Sequence, residues 1–166
     1  MTEQLDTPSR PIAQDGAMAG LLGAGLVAVL FFFLDTVREE AFYTPSLLAG
    51  WLFDGAGPTH VVISTKNVLA YSGLHVILFL IAGVCLAWVF REFNDNPHFG
   101  IIYLLLYVML VAILFGLQIA MMPDIVGAIG TWAVAAGNIL ASVGMFAFLL
   151  HRYPDSLASL REAWSE

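Results

Sequence analysis

His75 is a histidine inside an otherwise apolar run, YSGLHVILFL, with Tyr71 one helical turn before it. An imidazole in such a place can do three kinds of chemistry: bond a neighbouring helix, ligate a metal or haem, or pass a proton. Asn138 and Ser142 stand in the same relation within GNILAS, and Gln118 lies near the end of another apolar run. Polar groups in such runs are costly in lipid and point inward. Asp35 closes the first apolar run, with Arg38 three residues on and within reach of an ion pair.

These residues imply positions once the runs carrying them are identified. The 166 residues are 60% hydrophobic and 11% charged, against about 25% charge in soluble domains. The class indicated is a membrane protein. Four segments, about 17–35, 68–90, 99–122 and 131–150, are each long enough to cross about 30 Å of hydrocarbon as a helix. None alternates as a barrel strand would, and helix alone satisfies its backbone in lipid. The expected fold is all-α, an integral membrane bundle of four transmembrane helices with a partly helical outer loop, 36–67. A polar N-terminal tail, 1–16, precedes the 17–151 membrane domain. The C-terminal tail, 152–166, reads as an interfacial helix starting after Pro154.

Orientation follows from Lys and Arg at the span ends. Arg10, Arg91, Arg152 and Arg161 fall on one side, Arg38 and Lys66 on the other. That bias puts both termini in the cytoplasm. The loop 36–67 and a short loop, Pro123 to Gly130, then face outward. In the outer loop, YTPSLLAGWLF reads as a short helix with Thr44 as N-cap and Pro45 at its first position.

On this frame His75 lies about eight residues below the outer end of its span, roughly 12 Å in. Asn138 lies at similar depth, Gln118 is shallower, Tyr71 is one turn nearer the outside and Ser142 one turn deeper. Tyr71, His75, Gln118, Asn138 and Ser142 therefore form an expected polar layer in the outer half of the bundle. The structural reading is interhelical glue, with His75 bonded to Asn138 or Tyr71. The competing readings are a path for a proton or small solute, and a haem or metal ligand.

A bis-histidine haem is disfavoured, because His60, His98 and His151 lie in loops or at span ends. No metal motif is present; His60 and His75 are weak metal candidates, and His60 shares its loop with Asp54, Glu39 and Glu40. No cofactor is predicted, with single-histidine haem or metal ligation kept as the alternative. The lone Cys85 reads as a small buried apolar residue.

Two stripes of small residues suit close helix packing: Gly16, Gly20 and Gly23 (with Ala19 between them) in the first span, and Ala133, Gly137 and Ala141 in the fourth. They serve either packing within the chain or an interface with another. There is no nucleophile elbow, zinc-protease helix or phosphate loop, so an enzyme is disfavoured. No basic patch exists for nucleic acid, and the net charge is −7.

FFFLD (Phe31 to Asp35), FYTPSLL (Phe42 to Leu48), YSGLH (Tyr71 to His75) and GNILA (Gly137 to Ala141) together give the chain a pattern that resembles small, uncharacterised four-span bacterial inner-membrane proteins. The resemblance implies a bacterial inner (plasma) membrane location and carries no activity and no functional residue. The leading expectation is an accessory or scaffold subunit, or a self-associating protein, whose partners are the bilayer and other membrane subunits or its own copies. A small-solute or proton carrier using the layer around His75 is the alternative. A haem- or metal-binding redox subunit is the second.

Overall fold

The computed structural model describes residues 12–95 and 100–153. Six helices follow in order: α1 (Ile12–Val37), α2 (Tyr43–Asp54), α3 (Thr65–Asp95), α4 (Gly100–Met121), α5 (Pro123–Ile129) and α6 (Thr131–Arg152). No strand forms among the described residues. Of the two expected tails, 1–16 and 152–166, residues 1–11 and 154–166 lie outside them.

Among the described residues, three helices are long and apolar enough to cross a membrane: α1, α3 over Thr65–Glu92, and α6. A fourth follows if α4 and α5 are taken as one bent span, with a 102° turn between them. The turn has a local cause. Pro123 has no N–H to continue the ladder of α4, so the chain restarts as α5 with Pro123 in its first turn. Pro123 to Gly130, expected as a loop, is thus mostly helix. Gly130, at φ 106° and ψ 116°, then separates α5 from α6 in a conformation open to glycine.

Helix α1 is the organising element, packing along α3 on one side and α6 on the other. It begins at Ile12, so the proposed polar tail of 1–16 ends inside a helix, and Asp15 is buried. Its far end closes with paired bonds, Glu40 N–H to the Asp35 carbonyl and Glu39 N–H to the Thr36 carbonyl, both 3.0 Å. This arrangement needs a left-handed residue just past the helix, and the residue there is Glu39, at φ 63°.

Helix α2 lies where the outer-loop helix was expected, but Thr44 is inside it and does not cap it. Phe42, also left-handed at φ 67°, precedes it. Gly55 ends it in the left-handed region, with Ala56 N–H bonded to the Gly50 carbonyl at 3.0 Å.

Two apolar clusters hold the bundle. At one end, Ala19, Leu86, Ala87, Phe90, Met145 and Leu149 join α1, α3 and α6. At the other, Leu47 of α2, Ile125 and Ile129 of α5 and Ala133 of α6 pack together, with Phe31 and Leu34 of α1 against them. The short helices α2 and α5 thus cover that end. Elsewhere large apolar side chains face outward along α1, α3, α4 and α6, Phe33, Ile81, Leu105 and Ile139 among them. A fold that leaves this much aliphatic surface uncovered suits hydrocarbon surroundings. Cys85, expected to be buried, is exposed on that outer surface. It lies two residues beyond Gly83, near the far side of α3 from the α1 crossing.

Candidate functional site

The polar layer does not assemble as one group. It divides between two helix seams. His75 turns to α1, with Nε2 3.4 Å from the Ala24 carbonyl, where an imidazole N–H can donate. Its ring sits between Tyr71 and Phe79, with centroids 5.8 Å and 4.6 Å away. One turn each way along α3 places all three rings on one helix face. The expected bond from His75 to Asn138 or Tyr71 is replaced by this backbone contact, because α1 and not α6 packs closest on this face.

Asn138 bonds Gln118 instead, Nδ2 donating to Oε1 at 3.0 Å across the α4–α6 seam. Ser142 enters through its backbone, whose carbonyl lies 3.4 Å from the Tyr107 hydroxyl that donates to it. Tyr107 was not singled out in the sequence, although a tyrosine with a polar tip inside an apolar run is itself a signal. Its ring stacks on Phe146 of α6, which meets Phe90 edge-on.

The expected Asp35–Arg38 pairing is replaced as well. Asp35 is 1% exposed, and its carboxylate accepts from Thr44 twice, from N–H at 2.8 Å and from Oγ1 at 2.7 Å. A carboxylate thus receives one first-turn N–H of α2, that of Thr44, where the helix dipole favours negative charge. Arg38 instead reaches α5, where Nη2 donates to the Ile129 carbonyl at 3.0 Å. A cation at a helix C-terminus meets carbonyls that have no partner in the helix. The two residues clasp α2 and α5 separately and so fix the covering layer to α1. Tyr43, at the start of α2, has its phenol pushed above the ordinary value, by burial first and by the Glu40 charge second.

A cluster not read from the sequence lies at the opposite end. Asp15, 4% exposed, accepts from Arg152 Nε at 3.0 Å and from the Tyr153 hydroxyl at 3.1 Å. These bonds tie the first turn of α1 to the end of α6. Burial raises the Tyr153 phenol above its ordinary value, and the bond to Asp15 raises it further. The signal available was an Asp at the foot of the first apolar run and Arg-Tyr at the end of the last, on one side of a four-span frame.

Both small-residue stripes are used within the chain. A Cβ on Gly16 would meet the backbone of Gly83 and Val84, and one on Gly20 the backbone of Phe79 and Leu80. Gly23 faces the Met145 side chain, and Gly137 faces Phe31. Ala19, Ala133 and Ala141 are buried. Gly83 supplies the α3 half of the crossing and was not part of either expected stripe.

Among the described residues, no three His, Cys, Asp or Glu side chains group as metal ligands. His60, Asp54, Glu39 and Glu40 form no such set, and His75 has rings and a carbonyl as its neighbours. Together the fold and these seams define, among the described residues, an all-helical protein with three, or with the bent pair four, helices fit to cross a membrane. Comparison with family models, curated proteins and solved structures gives no match.

Proposed function

We propose that this chain is a four-span protein of the bacterial inner membrane, with both termini cytoplasmic, acting as an accessory or self-associating subunit without chemistry of its own. One observation carries the reading. Polar side chains of the apolar helices bond across separate helix seams rather than converging on one point: His75 to α1, Gln118 to Asn138, and Asp15 to Arg152 and Tyr153. Interhelical bonds of this kind hold membrane helices together. A carrier would need its polar groups facing one path, and a redox subunit would need His75 aimed at an open coordination position.

In this reading α4 and α5 form the fourth span and its turn, and the outward leucines of α4 meet lipid or another chain. The test is purification of the full chain from its native membrane into nanodiscs, followed by native mass spectrometry. The expected result is a companion membrane chain or an oligomer. A lone monomer at every lipid-to-protein ratio overturns the reading. Reporter fusions at each terminus check the orientation, and a terminus found outside overturns that part.

A further inference from the structure

Helix α4 is attached unlike the other three long helices. None of its described side chains is buried. One stripe, Tyr103, Tyr107, Val111, Phe115 and Gln118, is half-buried and faces the bundle. All five are bulky, so this stripe allows no backbone approach like that of Gly16 and Gly20 to Gly83. Gly116 lies off the stripe, and a Cβ there meets nothing within 4 Å.

In lipid this difference decides how firmly a helix is held. Hydrocarbon tails are as apolar as leucine, so close packing and hydrogen bonds must do what the hydrophobic effect does in water. Among the described residues, two side-chain bonds join α4 to the bundle, both onto α6. Asn138 donates to Gln118 at 3.0 Å, and Tyr107 donates to the Ser142 carbonyl at 3.4 Å.

The outer end of α4 has a fixed pivot. The chain turns by 102° into α5, and Pro123 has no N–H to continue the ladder. Beyond the turn α5 is anchored, with Ile125 and Ile129 packed on Leu47 and the Ile129 carbonyl bonded by Arg38 at 3.0 Å. Gln118 lies about 6 Å along the helix from Met122, whereas Tyr107 lies about 22 Å from it. A rotation at the pivot therefore strains the Tyr107 bond far more than the Gln118 bond.

We propose that α4 is a hinged arm that swings at the Met122–Pro123 break, docking on α6 and parting from it sideways in the bilayer, with Tyr107 as its latch. Parting opens the α6 face that carries Ser142 and Phe146. The proposal goes beyond the function above and rests on α4 as its fourth span.

Electron–electron double resonance on spin-labelled full-length protein tests this, in a Cys85→Ala background, in phosphatidylethanolamine–phosphatidylglycerol nanodiscs and diluted with unlabelled protein. Labels go on exposed sites. The pair Met109→Cys with Leu21→Cys reports the far part of α4 against α1. Leu117→Cys with Val29→Cys reports the part near the pivot, and Val143→Cys with Leu21→Cys reports the core. Spans commonly tilt over a range of about 20°. A swing of that size moves Met109 by about 7 Å and Leu117 by less than about 3 Å. The expected result is a second, longer component for Met109–Leu21 and a single narrow distribution for the other two pairs. Tyr107→Phe keeps the ring that stacks on Phe146 and removes the bond. It is expected to raise the share of the longer component at least twofold, and Gln118→Leu to raise it less. A single narrow Met109–Leu21 distribution in both the parent and Tyr107→Phe proteins overturns the hinged arm. So does equal spread in the core pair, or a larger effect from Gln118→Leu. Each of these leaves the accessory or self-associating function standing, since native mass spectrometry decides that separately.

Discussion

Gly83→Ala should separate α1 from α3. The new Cβ would lie 2.5 Å from the Gly20 nitrogen and 2.8 Å from its Cα, and would also meet the Gly16 carbonyl oxygen. All three are backbone atoms, so no rotamer change relieves the clash. Carbon contacts settle at about 3.5–4.0 Å, which requires the two helices to part by about 1 Å. A gap of that size forfeits about a quarter to a half of the attraction at each neighbouring contact. Overpacking of a close-fitting core costs about 1–3 kcal/mol, and this crossing joins the helix that holds the rest of the bundle. We expect about 2 kcal/mol of destabilisation, a shift of roughly 30-fold in the folding equilibrium.

The matched control is Gly116→Ala on α4, where a Cβ meets nothing within 4 Å. There the better helix propensity of alanine should leave stability unchanged or raise it by up to about 1 kcal/mol. Unfolding by SDS in mixed micelles, followed by far-ultraviolet circular dichroism, measures both. Equal midpoints for the two variants would refute the close crossing of α1 and α3.

Glu39→Gly should stabilise the chain by about 1 kcal/mol, because the left-handed position after α1 suits glycine better than a residue with a Cβ; a lowered thermal midpoint would contradict this. His75→Ala should lower stability by about 2 kcal/mol through loss of the Ala24 bond and the Phe79 ring contact, with no change in proton or solute flux; a folded variant that loses a measured flux in proteoliposomes would favour the carrier. Tyr153 makes stability depend on alkaline pH. Its folded phenol value lies above the ordinary 10.0 because of burial and the Asp15 bond, so the folded state holds its proton longer than the unfolded state. The contribution is complete below pH 10 and is lost as pH rises through the raised value; Tyr153→Phe should flatten that decline, as read by unfolding midpoints across the alkaline range.

The helical class and the approximate extents of α1, α3, α4 and α6 were legible because long apolar runs leave lipid-exposed backbone no other way to satisfy its bonds. The outer-loop helix was legible from YTPSLLAGWLF, where Pro45 suits a first helical turn, with its start misplaced by treating Thr44 as a cap. Helix α5 was not legible, since PDIVGAI is too short for periodicity to register and is stabilised by packing of Ile125 and Ile129 on Leu47. Cys85 was misread because an apolar residue of a membrane helix can face lipid as easily as protein, and composition does not distinguish the two.

The polar residues divide along the same line. Residue type and depth along a span are properties of the chain, and they identified His75, Gln118 and Asn138 as groups that must find partners. Which partner each finds depends on which helix stands next to which, and on rotation about each axis. Residues at equal depth on different helices are brought together only if their faces meet. Here the glycines at the α1–α3 crossing bring α1 against His75. Asn138 is left for α4, where it meets Gln118. The sequence by itself determined the membrane-type helices and the presence of buried polar groups, through hydrophobicity and the cost of unsatisfied bonds. Tertiary structure alone decided that one expected layer is two separate seams, because helix contacts are set by close packing between segments far apart in the chain.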